Sequence, residues 1–107
     1  MSEIKLQSSH VIISADLAQK IFADAYTAYV SYKNDLGVIL VSANTNTWFR
    51  KLHETKEYML KNKDLEGTKS IAIREILIDH DIDTADRPLH HELNEDKHYF
   101  KINLSET

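Results

Sequence analysis

The residues best suited to chemistry cluster in the segment 79–86. Asp79, Asp81 and Asp83 alternate with other residues, and His80 stands between the first two. Carboxylates two positions apart can wrap around a hard cation such as calcium. The spacing therefore predicts a candidate metal site formed by Asp79, His80, Asp81 and Asp83.

The same segment departs from a calcium-binding EF-hand loop. Thr84 stands where that loop has its turn glycine, and His90 stands where it has its bidentate glutamate. The alternative interpretation is a solvated acidic loop whose aspartates close turns with their own backbone.

Six histidines suggest a second metal site, near the end of the chain. His91 and His98 flank one predicted turn, and His90 is adjacent to His91. Neighbouring strand residues point to opposite faces of a sheet, so His90 and His91 cannot bind one ion together. No His-x-x-x-His spacing occurs. We expect surface histidines and no cofactor.

Catalytic signatures are missing from the sequence. Without cysteine there is no disulfide, thiolate nucleophile or cysteine-bound zinc. Two glycines form no phosphate-binding loop, and no Gly-x-Ser-x-Gly nucleophile motif occurs. No catalytic residue is predicted, and a non-enzymatic protein is favoured. The alternative is a small metal-dependent enzyme that uses the acidic segment and nearby histidines.

Four aromatic residues are the candidates for a ligand site or an interface. Tyr26 and Tyr32 fall on one side of a predicted strand and Tyr29 on the other, while Trp48 begins a predicted helix. Exposed rings on a strand can stack nucleic-acid bases. Rings with a polar tip more often pack at the edge of a core or in an oligomer interface. The sequence therefore favours a binding or assembly module that forms a homo-oligomer and that also accepts another protein as a partner. Trp48, at the start of a helix, is expected to anchor the core.

Hydrophobic periodicity predicts the elements that would position these residues. The predicted elements are a strand at 4–14, a helix at 15–25 capped by Ser14, a hairpin at 26–41, a helix at 48–61, a strand at 70–78 with a helix as its alternative, and a hairpin at 89–104. The fold class is α+β: a mostly antiparallel twisted sheet or partial barrel of five to six strands with two helices, in the order β-α-β-β-α-β-β-β.

Length and charge limit the number of domains and the kinds of partner that the chain is expected to have. A chain of 107 residues fits a single domain, 1–107. A net charge of −4 and three arginines disfavour nucleic acid as a partner without excluding it. No apolar run approaches the ~20 residues of a membrane span, and no signal-peptide pattern precedes the first strand. A cytoplasmic location without membrane contact is expected.

One family resemblance covers residues 9–53. The stretch 9–17, Ser-His-Val-Ile-Ile-Ser-Ala-Asp-Leu, the hairpin 28–41 and the helix opening Trp48-Phe49-x-x-Leu52 resemble MraZ and AbrB-like proteins. The resemblance implies an intertwined β-barrel and a DNA-binding regulator. At the family's DNA-facing and turn-forming positions, His10 replaces arginine and Ser14 replaces proline, and the Asp-x-x-Gly lead-in is missing.

Overall fold

A computed structural model of the chain describes residues 3–23 and 25–104. Within these residues the elements follow the order β-β-α-β-β-α-β-β-β-α-β-β-β. The strands are β1 (Ile4–Gln7), β2 (His10–Ile13), β3 (Thr27–Lys33), β4 (Val38–Ala43), β5 (Lys56–Met59), β6 (Lys61–Asn62), β7 (Lys69–Ala72), β8 (Arg87–Leu89), β9 (His91–Asn94) and β10 (Tyr99–Asn103). The helices are α1 (Ala15–Ile21), α2 (Thr47–Leu52) and α3 (Arg74–Asp79).

The strands form two antiparallel sheets of five strands each. The first sheet has the order β6-β7-β2-β1-β8, and the second has the order β5-β3-β4-β10-β9. The chain passes from one sheet to the other three times: through α1 between β2 and β3, at Leu60 between β5 and β6, and at His90 between β8 and β9. The sheets do not close into a barrel in the described part of the chain. The α+β, mostly antiparallel prediction is confirmed, whereas the predicted strand count, helix count and element order match the structure only in part.

One hydrophobic core lies between the two sheets. Strands that alternate apolar and polar residues turn one face inward, as Ile4 and Leu6 do in β1 and Phe100 and Ile102 do in β10. Helices α1 and α3 add further apolar side chains, including the fully buried Leu77. Burial of each large apolar side chain contributes about 1.5–3 kcal/mol, so this shared core holds the sheets together.

A smaller cluster covers the outer face of the second sheet. Val38, Leu40 and Phe49 are buried there, with Tyr29 and Tyr99 packed beside them. Phe49 comes from α2, which therefore lies across the outer face. This cover explains why β4 is buried along its whole length.

Strand pairing follows the same pattern in the two halves of the chain. In the first half of the chain β1 pairs with β2, as β6 pairs with β7 in the second half. In the same way, the pair β3–β4 corresponds to the pair β9–β10. The central pairs β2–β7 and β4–β10 each join two equivalent strands, one from each half. The pairs β1–β8 and β3–β5 are also equivalent if β5–β6 and β8–β9 each count as one bent strand. The fold is thus an internal two-fold arrangement whose repeat is not visible in the sequence.

The N-terminal prediction needs three corrections. The predicted strand 4–14 is a hairpin, because Ser8 and Ser9 take φ values of 51° and 63° and turn the chain back in two residues. Ser14 occupies the N-cap position of α1, but its hydroxyl donates to Asp16 Oδ1 at 2.7 Å instead of capping the backbone. The helix ends at Ile21, before the predicted residue 25.

The predicted helix 48–61 is correct only at its start and extends too far. Helix α2 ends at Leu52, and β5 then pairs antiparallel with β3. Tyr58 and Leu60 both pack against the core, which is the two-residue period of a strand. Met59 and Leu60 match a helical spacing from Trp48 only by coincidence.

The segment 70–78 is part strand and part helix. Strand β7 ends at Ala72, and α3 begins at Arg74. Ile71 is buried by the strand, while Ile76 and Leu77 are buried by the helix. The segment therefore changes from strand to helix, and neither the predicted continuous strand nor the alternative continuous helix is correct.

The two predicted hairpins are confirmed. Strands β3 and β4 pair across the turn 34–37, where Gly37 has a φ of 65°. Strands β9 and β10 pair with Leu93 opposite Phe100. None of the helices in the described residues is long and apolar enough to span a membrane.

Candidate functional site

The structure divides the four aromatic candidates into two exposed and two half-buried side chains. Tyr26 is 84% exposed and Trp48 is 40% exposed. Tyr29 packs against the outer cluster, and Tyr32 packs against the main core. Trp48 is therefore not the core anchor that the sequence predicts, since Phe49 alone fills that role in α2.

Helix α2 presents an apolar flank to solvent. Phe49 points into the sheet, so Trp48 and Leu52, four residues apart, share one side of the helix. Leu52 is 58% exposed. We call Trp48 and Leu52 the α2 flank. The ammonium of Lys97 lies 4.7 Å from the centre of the Trp48 ring, and the guanidinium of Arg50 lies 6.0 Å from that of Tyr29.

Asn46 fixes α2 to the turn between β9 and β10. Its Oδ1 accepts a hydrogen bond from Phe49 N at 3.1 Å, which caps the helix. Its Nδ2 donates to the carbonyl of Lys97 at 3.0 Å and to Ser42 Oγ at 2.9 Å. Ser42 Oγ in turn donates to the carbonyl of His98 at 2.5 Å. One amide therefore sets where the α2 flank stands relative to Lys97.

His53 follows α2 and packs among aromatic rings. Its ring centre lies 4.8 Å from that of Phe49 and 6.3 Å from that of Tyr99. Burial and, second, the charge of Lys33 lower the pKa of His53 below its usual value. The neutral imidazole is the form that this position favours.

A cleft opens between β5 and α3. It has a volume of about 380 Å³, and Val30 and Ile76 contribute buried apolar surface. We call this the β5–α3 cleft. Tyr58 lines the β5 side, and Asp79 lines the α3 side.

Aromatic and charged groups line the rest of the β5–α3 cleft. The rings of Tyr32 and His80 are stacked, with centres 4.0 Å apart. Lys56 Nζ lies 3.5 Å from Glu75 Oε1 and joins β5 to α3 through an exposed ion pair. Burial raises the pKa of Tyr58, with smaller contributions from the negative charges of Glu75 and Asp79 and an opposing one from Lys56.

The four predicted metal ligands do not converge on one point. Asp79 ends α3 and His80 stacks on Tyr32, whereas Asp81 and Asp83 are exposed in the loop that follows. Asp83 Oδ1 accepts a hydrogen bond from Ala85 N at 2.9 Å, which is the turn-closing role of the alternative interpretation. Among the described residues, no group of three or more His, Asp or Glu side chains is placed to hold a metal ion. The metal site stays a prediction.

Three residues of these sites were missed from the sequence. Leu52 carries a signal, because its position four residues after Trp48 puts both on one helix flank. Tyr58 carries a signal too, since it lies two residues before the apolar Leu60, which is the spacing of side chains on one face of a strand. Nothing in the sequence places His53 beside Tyr99, which comes from a distant strand.

Comparison with known proteins finds no match: no family model fits the sequence, and no characterised protein or solved structure is significantly similar to the chain. The resemblance to MraZ and AbrB-like proteins therefore stays a prediction.

Proposed function

We propose that the protein is a non-catalytic binding and assembly module that forms a homo-oligomer in the cytoplasm. The observation that carries the proposal is the α2 flank, where Trp48 and Leu52 lie exposed beside the buried Phe49 of the same helix. The flank makes Trp48 the principal interface residue of the four aromatic candidates.

The composition around the flank suits a protein interface. Tryptophan and arginine are enriched among the residues that dominate binding energy, usually at the centre of a polar rim. Lys51 on α2 and Lys97, which lies over the Trp48 ring, supply polar groups of that kind beside the flank. Burial of the exposed parts of Trp48 and Leu52 in a second copy would stabilise the oligomer through the hydrophobic effect.

The flank is also held rigidly. Asn46 caps α2 and bonds to the β9–β10 turn, and Phe49 is fully buried beneath the helix. A side chain already fixed in position loses less conformational entropy on binding. The fixed position of the α2 flank therefore supports its role as a binding interface.

Sedimentation equilibrium of the full chain tests the proposal. We expect an oligomer at about 100 μM protomer, and a shift toward monomer in the Trp48→Ser, Leu52→Gln double variant, with a dissociation constant raised at least about tenfold. The control is Leu65→Gln, which removes a fully exposed leucine from a loop away from α2 and leaves the oligomer intact. Circular dichroism confirms that each variant folds.

A monomeric wild-type chain at that concentration would contradict the proposal, as would an oligomer that the double variant leaves unchanged. A labelled 20-base-pair DNA duplex in the same cell separates the AbrB-type alternative. With a net charge of −4, we expect no co-sedimentation at physiological salt. Co-sedimentation lost in Arg50→Gln would favour the DNA-binding regulator instead.

A further inference from the structure

We propose that the β5–α3 cleft binds a small organic cation, an ammonium or guanidinium group carried on a short alkyl chain. The inference is independent of self-association, because neither residue of the α2 flank lines this cleft.

The dimensions of the cleft suit a ligand of this size. Its volume of about 380 Å³ lies near the lower end of the roughly 300–1,000 Å³ range of small-molecule sites. Buried Val30 and Ile76 contribute apolar surface for the methylene groups of an alkyl chain, while the charged side chains lie at the exposed rim.

The charged groups of the cleft favour a cation, since its lining holds three carboxylates (Glu54, Glu75 and Asp79) and two ammonium groups (Lys33 and Lys56). Glu75 and Asp79 stand four residues apart on α3, so they share one face of the helix. Glu75 is paired with Lys56, whereas no ion pair to Asp79 is found among the described residues. Both carboxylates act on Tyr58, which places them within electrostatic range of the cleft interior.

The aromatic residues add a second attraction for the same ligand. Tyr58 and the stacked Tyr32 and His80 line the cleft around Asp79. A cation over an aromatic ring is attracted by the ring's quadrupole, and more strongly so where water is partly excluded. A carboxylate beside aromatic rings is therefore a suitable site for an alkylammonium or alkylguanidinium group.

Lys56 already shows this chemistry within the molecule. Its side chain is an ammonium on an alkyl chain, and it reaches from β5 to Glu75 on α3. Both partners are largely exposed, and ion pairs of that kind are weak. An incoming cation can thus displace Lys56 from Glu75 at little cost.

An NMR titration of the full chain tests the inference. The probes are agmatine, as a free alkylguanidinium, and the peptide acetyl-Gly-Arg-Gly-amide, as a protein-borne one; 1-pentanol is the neutral control. We expect saturable shifts of the Tyr32, Tyr58 and His80 ring signals with the guanidinium probes and none with the alcohol. Saturation by agmatine alone assigns a free small molecule, and saturation by both assigns a site that also accepts a protein side chain.

Three variants make the result specific. Asp79→Asn should weaken binding about fivefold, as expected for one partly exposed charge and ring site. Lys56→Gln should tighten it, because Glu75 is then freed for the ligand. Asp96→Asn, in the turn between β9 and β10, is the matched control and should bind as the wild type does.

The inference is overturned if the ring signals do not shift with either guanidinium probe up to about 50 mM, a range that covers even very weak binding. Equal shifts with 1-pentanol, or equal affinity in Asp79→Asn and wild type, would overturn it as well. None of these outcomes changes the sedimentation result, so failure here leaves the proposed oligomer unaffected.

Discussion

The pKa of His53 is set by the residues around its side chain. It lies against the Phe49 and Tyr99 rings and within the field of Lys33, and burial followed by that charge lowers its pKa. Both causes disfavour the imidazolium in the folded chain. The folded state therefore takes up this proton less readily than the unfolded state does, where the histidine pKa is about 6.5.

The pH dependence follows from that direction. The stability associated with neutral His53 is fully present above a pH of about 6.5 and is lost as the pH falls through the folded pKa. We predict that the stability advantage of wild type over His53→Gln shrinks between about pH 7.5 and pH 5, measured as the free energy of unfolding in urea. In Lys33→Gln the decrease should be smaller, because one of its two causes is gone. A pH-independent difference between wild type and His53→Gln would contradict this.

At the residue scale, the chemical type of a position was easier to predict than its burial. Tyr26, Tyr29, Tyr32 and Trp48 were identified as aromatic positions of interest, but the sequence does not distinguish the exposed Tyr26 and Trp48 from the others. Burial depends on what packs from elsewhere in the chain. His80 covers Tyr32, and α2 covers Tyr29.

Helix α2 is the element on which the proposed interface depends. It has six residues, so its own hydrogen bonds contribute little stability, since isolated helices shorter than about 12 residues are marginal. Tertiary contacts keep it in place, chiefly Phe49 beneath it and Asn46 at its start.

Asn46→Ala tests that dependence. We predict a loss of about 2 kcal/mol in the free energy of unfolding, because the helix loses its cap and the β9–β10 turn loses its amide donor. Self-association should weaken in the same variant, since the α2 flank is no longer fixed. Asn44→Ala is the matched control; its side-chain amide has no hydrogen bond to another described residue, and a change within about 0.5 kcal/mol is expected. Equal stability of the two variants, measured by urea denaturation, would contradict the role of Asn46.

At the element scale, the sequence predicted hairpins better than helix ends. The period of two in 26–41 and 89–104 corresponds to strands that are buried on an inner face, so pattern and structure agree. After Leu52, apolar residues fit both a helix and a strand, and the pairing of β5 with β3 decides between them. That pairing is a tertiary contact, which local periodicity cannot reveal.

At the scale of the whole molecule, the fold brings together residues that are distant in the sequence. Tyr32, Tyr58 and His80 come from three separate segments and meet only because β3, β5 and α3 surround one cleft. In the acidic segment 79–86 the reverse is found, since the predicted metal ligands are close in the sequence but do not converge in space. Spacing along the chain was therefore a poor guide to either candidate site.

The two-fold pattern of strand pairing also leaves the halves of the chain dependent on each other. The pairs β2–β7, β4–β10, β1–β8 and β3–β5 all cross between halves. One cooperative core results, and the α2 flank stands outside it on the connection between the halves. A second copy of the chain can cover that flank without disturbing the core.

Trp48 is the single tryptophan of the chain, so its fluorescence tests the proposed assembly directly. We predict that dilution from about 100 μM to about 0.1 μM shifts its emission to longer wavelength, because dissociation returns the ring from an interface to water. The Leu65→Gln variant should show the same shift. An emission maximum that stays constant over the whole dilution range would contradict an oligomer formed through the α2 flank.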